Sequence, residues 1–213
     1  MFLNIGNGVG SFPIFIFLFS MMQFSGKFFL IVGPSGVGKG TVITALKKEF
    51  AGREGMVFPI TATTRDPRPQ EKDGVDYLFL TKEVFEEKIQ RDEFVEYATV
   101  HEKNYYGLPK EQVFPALQAG KKVIRELDIQ GLWNIQKILP PENIVSLFLY
   151  PESLEILRQR IVGRSPLSDE EVQRRLETAQ NEISHKHECS YQVLSTQGRP
   201  KDMVAAVRKI IEG

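Results

Sequence analysis

The stretch Lys27-Phe28-Phe29-Leu30-Ile31-Val32 runs directly into Gly33-Pro34-Ser35-Gly36-Val37-Gly38-Lys39-Gly40-Thr41, and Val42, Ile43, Leu46 and Phe50 then follow at helical spacing. An apolar strand, a glycine-rich turn and an amphipathic helix, in that order, are the setting a phosphate-binding loop requires. Glycines let the backbone fold tightly enough for successive N–H groups to point at phosphate oxygens, and the helix N-terminus adds partial positive charge. Lys39 supplies a full charge for the β and γ phosphates of a nucleotide. The strict pattern places Ser or Thr directly after the lysine as a Mg²⁺ ligand; here Gly40 stands there and Thr41 comes next.

Working outward, strands are predicted at residues 122–127 and 144–150, each apolar enough for the centre of a parallel sheet. Helices are predicted at 82–91, 109–120, 153–161, 169–187 and 202–211, with Gly120 placed to end the second of these. Residues 57–80 read as short extended pieces joined by turns at Pro67, Pro69 and Asp73-Gly74. Alternating strands and helices indicate an α/β fold with a parallel sheet flanked by helices, and residues 57–108 an inserted lobe.

The composition narrows the function. Over 213 residues, 27 Lys plus Arg balance 27 Asp plus Glu, so the whole chain exerts no global attraction on nucleic acid or an acidic membrane, and an anion site must be local. With one cysteine, Cys189, there is no internal disulfide and no cysteine-built metal site, which suits the reducing cytoplasm. Residues 1–26 lack Asp, Glu, Lys and Arg and include the apolar run Phe12 to Met22. That run has no basic residues before it and no small-residue cleavage site after it, and at roughly 11 to 13 apolar residues it falls short of the ~20 that span a bilayer. The expectation is a non-native or disordered extension over residues 1–21, with Met21 or Met22 as the true start; a membrane anchor is the lesser alternative.

From residue 26 onward the sequence resembles guanylate kinase. The resemblance rests on GPSGVGKGT at 33–41, TTRDPRPQEKDGVDY at 63–77, EFVEYATV at 93–100, NYYG at 104–107, ELDIQG at 126–131 and the arginine-bearing LRQRIVGR and VQRRL. It implies a P-loop NTPase-like fold with a core of residues 22–59, 113–153 and 180–213, a mixed α/β GMP-binding lobe at 60–112 and a helical lid at 154–179. It also implies phosphoryl transfer from ATP to GMP or dGMP with Mg²⁺ as cofactor, in purine nucleotide metabolism, without a nucleic-acid or membrane partner; a homo-oligomer is left open.

The resemblance assigns ATP binding to Gly33, Pro34, Ser35, Gly36, Val37, Gly38, Lys39, Gly40 and Thr41. Arg65 and Arg68, with Tyr77 and Tyr106, would hold the GMP phosphate, a task suited to guanidinium forks. Glu96 and Thr61 would select guanine, the carboxylate accepting from N1–H and the 2-amino group and the hydroxyl donating to O6. Asp128 would lie near GMP and the metal's water shell, with Glu126 a second acid of the same motif. No direct protein ligand to Mg²⁺ is assigned; Thr41 and Asp128 are candidates through water. Lys39, Arg160, Arg164 and Arg175 would be catalytic, the three arginines on the lid, whereas Arg158 and Arg174 are read as surface.

Three positions depart from the family pattern. Leu108 replaces a hydroxyl that supports the base, so one hydrogen bond to guanine is expected to be missing; Ser195 stands where an asparagine contacts the adenosine moiety; Ser165-Pro166 replaces a glycine after the arginine matching Arg164. His101, His185 and His187 form no triad or metal-ligand spacing, and Cys189 is expected to be structural. Two competing readings are a related kinase with a base-free acceptor, disfavoured by Glu96 and Thr61, and a catalytically inactive phosphoprotein-binding module, disfavoured by the intact Gly38-Lys39 loop and lid arginines.

Overall fold

The computed structural model describes residues 23–100, 104–163 and 167–213. Expectations for residues 1–21, His101, Arg164 and Ser165-Pro166 lie outside the described residues. In chain order the elements are β1 (Lys27–Val32), α1 (Lys39–Glu49), β2 (Met56–Val57), β3 (Ala62–Thr63), β4 (Leu78–Phe79), α2 (Lys82–Gln90), β5 (Phe94–Val100) and β6 (Asn104–Pro109). They continue with α3 (Lys110–Gln118), β7 (Lys122–Leu127), α4 (Ile129–Gln136), β8 (Ile144–Pro151), α5 (Leu154–Val162), α6 (Asp169–Ser184), β9 (Tyr191–Ser195) and α7 (Pro200–Glu212).

Five strands form a parallel sheet in the order β2-β7-β1-β8-β9, with β1 in register between β7 (Lys27 opposite Lys122) and β8 (Phe28 opposite Ile144). Because successive side chains on a strand face opposite ways, β1 divides its apolar residues between two cores. Phe28, Leu30 and Val32 pack on one face with α3 and α4 residues such as Leu117 and Leu132; Phe29 and Ile31 pack on the other with Val42 and Leu46 of α1 and Val207 and Ile211 of α7. Burial on both faces explains the unbroken hydrophobic run that the central strands show in sequence.

The second sheet is mixed, β4-β3-β6-β5, with β3 and β4 parallel and the other pairs antiparallel. Its small core stacks Phe85 of α2 between Phe94 and Tyr105, with ring centroids 4.3 Å and 5.2 Å away. Gly107 is required there: a Cβ would come 2.8 Å from Phe94 Cδ1 and 2.9 Å from Phe85 Cζ. A β-bulge between Phe94 and Glu96 interrupts the pairing with β6, a device that re-aims the side chains beside it.

Four elements escaped the sequence reading: β5 and β6 of the lobe, helix α4 and strand β9. Helix α4 is only eight residues long and follows β7 after a one-residue cap, so its apolar residues run on from the strand, and β9 is an edge strand whose exposed Tyr191 and Leu194 break its apolar signature. The helix predicted at 169–187 ends at Ser184 and a 3-10 turn covers Lys186–Glu188. Among the described residues no helix is long and apolar enough to cross a membrane.

Candidate functional site

The loop from Gly33 to Gly38 turns tightly because Gly33, Gly36 and Gly38 adopt φ of 145°, 86° and 112°. At Gly33 the requirement is also steric, since a Cβ would meet Leu149 O at 2.4 Å. Helix α1 begins with Gly38 as its N-cap, which brings no capping side chain, so this positive helix end suits an anion. Lys39 is part-buried, its Nζ donating to Gly33 O and, at 3.2 Å, to Pro34 O.

Around this loop lies an open cleft of about 400 Å³ lined in part by Gly36, Gly38, Thr41, Arg160, Ser195 and Gln197. Arg160 reaches in from α5, its Nη1 donating to Val37 O at 3.3 Å and to Ser195 Oγ at 2.9 Å, and its Nε to Gln197 at 3.1 Å. Ser195 Oγ in turn donates to Val37 O at 2.7 Å. The serine that departs from the family pattern is thus buried and ties β9 to the phosphate loop. Arg175 remains on its own helix, where its Nε donates to Glu171 Oε1 at 2.7 Å; Arg174 shares that carboxylate.

On the lobe, Arg65, Tyr77 and Tyr106 come together. Arg65 Nε donates to the Tyr106 hydroxyl at 3.2 Å, and its guanidinium carbon lies 5.2 Å from the Tyr77 ring centroid. Glu71, which the sequence reading did not single out, organises this group by accepting both Arg65 Nη donors at 2.9 Å and the Arg68 backbone N–H at 2.8 Å. The Arg65 hydrogen bonds, reinforced by the Arg68 N–H, hold the Glu71 carboxyl below its usual range. Its one signal in sequence is an acid three residues after Arg68 in a turn-rich segment.

Glu96 and Thr61 also meet, through a residue that sequence reasoning missed. Arg125 on β7 donates from Nη2 to Glu96 Oε1 at 3.0 Å and from Nη1 to Thr61 Oγ1 at 3.2 Å. Both charged side chains are nearly enclosed, with 13% and 14% exposure. Burial pushes the Glu96 carboxyl up while Arg125 opposes it. Thr61, Tyr77, Tyr106, Arg125 and Glu126 line a second cleft of about 320 Å³. Leu108 is fully buried in the core beside Val95 and contributes no polar atom to it.

These two clefts stand at the phosphate loop and at the lobe, and comparison with known proteins identifies their source. A family model for guanylate kinase matches residues 25–213. The chain belongs to the guanylate kinase family. It is 40% identical over 166 residues to the guanylate kinase of Clostridioides difficile strain 630, covering 78% of each chain. It is 39% identical over 188 residues to that of Corynebacterium diphtheriae, covering 88% of this chain and 93% of the relative. The crystal structure of guanylate kinase from Anaplasma phagocytophilum is similar with a TM-score of 0.67 at 28% identity, over 90% of this chain and 87% of that one.

Asp128, which the guanylate kinase motifs single out, also carries a structural duty. Asp128 caps α4, its Oδ1 accepting from Gly131 N at 2.7 Å. Asn caps as well as Asp, so Asp128→Asn keeps the melting temperature within about 1 °C, whereas Asp128→Ala loses roughly 1 kcal/mol and about 2–4 °C; calorimetry of both variants checks this. Glu182, on α6, gave no sequence signal among its charged neighbours. It is buried with Oε2 lacking a partner; burial raises its carboxyl's pKa, Lys39 lowers it and Asp128 raises it. Packing alone brings it beside the loop.

Cys189 is structural, as expected. Burial pushes its thiol up to about 11, so the thiolate is scarce at neutral pH. Titration of the native protein with an aromatic disulfide reagent at pH 7.5 should show almost no fast reaction, and one thiol should appear on adding denaturant.

Proposed function

We infer that the protein transfers the γ-phosphoryl group of ATP to a phosphate oxygen of GMP, giving ADP and GDP, with dGMP as a second acceptor. The observation that carries this reading is the pairing of an intact phosphate loop around Lys39 with a separate cleft lined by Thr61 and Arg125, the latter bonded to the enclosed Glu96; Glu96 and Thr61 together suit the hydrogen-bonding edge of guanine. Adenine offers neither N1–H nor a 2-amino group, so it would leave the Glu96 carboxylate without donors, a costly arrangement in an enclosed site. A base-free acceptor would have no use for either residue.

The GMP phosphate is already ionised and attacks without a general base. Arg65 and Arg68, with the hydroxyls of Tyr77 and Tyr106, orient it. Lys39, Arg160, Arg164 and Arg175 supply positive charge as negative charge spreads over the transferring group, Arg175 leaving Glu171 when the lid closes over ATP. Closure also excludes water that would hydrolyse ATP.

Mg²⁺ accompanies ATP in this scheme. Among the described residues no group of three or more His, Cys, Asp or Glu forms a metal cage, but Mg²⁺ bound mainly by phosphate oxygens and water needs only one or two carboxylates. Glu126 Oε2 lies 3.9 Å from where a Cβ on Gly40 would stand, so Glu126 with Asp128 fits such an ion beside the loop, and Thr41 can act through water. Bound there, it would neutralise charge on the β and γ oxygens.

The reading is tested by ADP production from Mg·ATP with GMP, dGMP, IMP, AMP, CMP, UMP and ribose bisphosphate. Turnover led by GMP or dGMP is expected. A folded protein that turns over none of them favours the phosphoprotein-binding module instead, and preference for ribose bisphosphate the base-free kinase.

A further inference from the structure

Arg125 donates to both Glu96 and Thr61, joining them, and it lines the lobe-side cleft itself. Its guanidinium has five N–H donors and no acceptor. Whatever oxygen it meets must therefore accept. We propose that Arg125 is a specificity-determining positioning residue, which sets the donor and acceptor polarity of the two side chains that select the base. The proposal deepens the reading of the acceptor as GMP and rests on it.

At Thr61, the Oγ1 accepts from Arg125 Nη1 at 3.2 Å, so the hydroxyl's own hydrogen is turned away from the arginine and is free to be donated. A threonine hydroxyl without such a neighbour rotates to suit either a carbonyl or an amino group. Turned by Arg125, it suits O6 of guanine and not N6 of adenine. At Glu96, Nη2 occupies one acceptor site on Oε1 at 3.0 Å. A carboxylate has about four such sites, so Oε2 and the rest of Oε1 still serve N1–H and the 2-amino group. The adjacent positive charge also favours the ionised form, which only accepts, against burial and the nearby Asp128, which push the carboxyl up.

The same arrangement accounts for Leu108. The family's hydroxyl at that position is absent and its side chain belongs to the main core, so discrimination falls on Thr61 and Glu96. Arg125 makes that pair behave as one donor and one acceptor. The sequence reading did not single out Arg125, because a charge within strand 122–127 carries no local sign of the partner on β5 that the fold brings to it.

Arg125→Met keeps the length and removes the fork; Arg125→Lys keeps the charge with a single head group that cannot reach both partners equally. Steady-state kinetics with GMP, IMP and AMP, with circular dichroism to verify folding, decide the matter. For Arg125→Met, KM for GMP should rise about 10- to 100-fold, the size of a charge-assisted hydrogen bond, with kcat at saturating GMP and KM for ATP within about twofold. The GMP over AMP ratio of kcat/KM should fall by the same factor. Arg125→Lys should show the same split at roughly 3- to 10-fold, a partial rescue.

A Met variant with wild-type KM and selectivity overturns the proposal, as does one in which kcat and KM for ATP deteriorate along with KM for GMP, the mark of a merely structural residue. If the Met variant does not fold, a Lys variant with wild-type KM and selectivity overturns it equally. Wild-type protein that does not prefer GMP defeats the underlying reading. Wild-type preference that is lost in Glu96→Gln yet retained in Arg125→Met defeats this proposal alone.

Discussion

Lys39→Met lowers turnover about a thousandfold while GMP binding stays within a few-fold of wild type, because the lysine serves the phosphates of the donor nucleotide and not the acceptor. Removing one preorganised charge from a site where negative charge develops typically costs 10²- to 10³-fold in kcat, and a phosphate-loop lysine lies at the upper end because it contacts the transferring group itself. Methionine preserves the length of the side chain, so the glycine turn at Gly33, Gly36 and Gly38 is undisturbed. The bonds lost in the protein include those from Nζ to Gly33 O and Pro34 O, both on one side of the loop. The check pairs coupled-assay turnover with calorimetric titration of GMP. Near-normal turnover in a folded variant removes Lys39 from the mechanism, and loss of GMP binding would mean that the two sites are less separate than the two clefts indicate.

Glu96→Gln has the second large effect. The amide keeps one acceptor oxygen but replaces the other with an NH₂ that opposes the N1–H and 2-amino donors of guanine. Loss of charge-assisted hydrogen bonds together with an opposed donor in an enclosed pocket predicts a fall of about 10²- to 10³-fold in kcat/KM for GMP. AMP should change little, so the selectivity ratio collapses mainly from the GMP side. Stability is a separate readout. Arg125 and Glu96 expose 13% and 14% of their side chains, and breaking a buried pair by removing one partner costs about 3–5 kcal/mol. Gln leaves Arg125 a neutral acceptor and should sit well below that cost, whereas Glu96→Leu should approach it. Unchanged GMP kinetics in Glu96→Gln would displace this residue as the selector.

The sequence by itself determined the phosphate loop, the strand before it and the helix after it. In that segment the determining interactions are local: φ values only glycine tolerates, apolar residues at fixed spacing and one lysine at the helix start. Strand β8 was legible for a related reason, since burial on both faces demands a continuous apolar run, and β7 from its Val123 and Ile124 before Arg125. The lobe arginines and tyrosines stood out only through the likeness of their segments to guanylate kinase motifs; as residue types alone, the tyrosines read as packing.

The tertiary structure alone decided how those residues are held. Glu71 draws Arg65 and Arg68 together, Arg125 joins Glu96 to Thr61 from a strand that belongs to the other sheet, and Ser195 ties β9 to the phosphate loop while accepting from Arg160. Each contact except those of Glu71 spans 29 residues or more of chain. A charge on a strand or helix has the same local signature whether it faces water or a buried partner. Only packing removes the water, and only then does the pairing of Arg125 with Glu96 acquire its full strength.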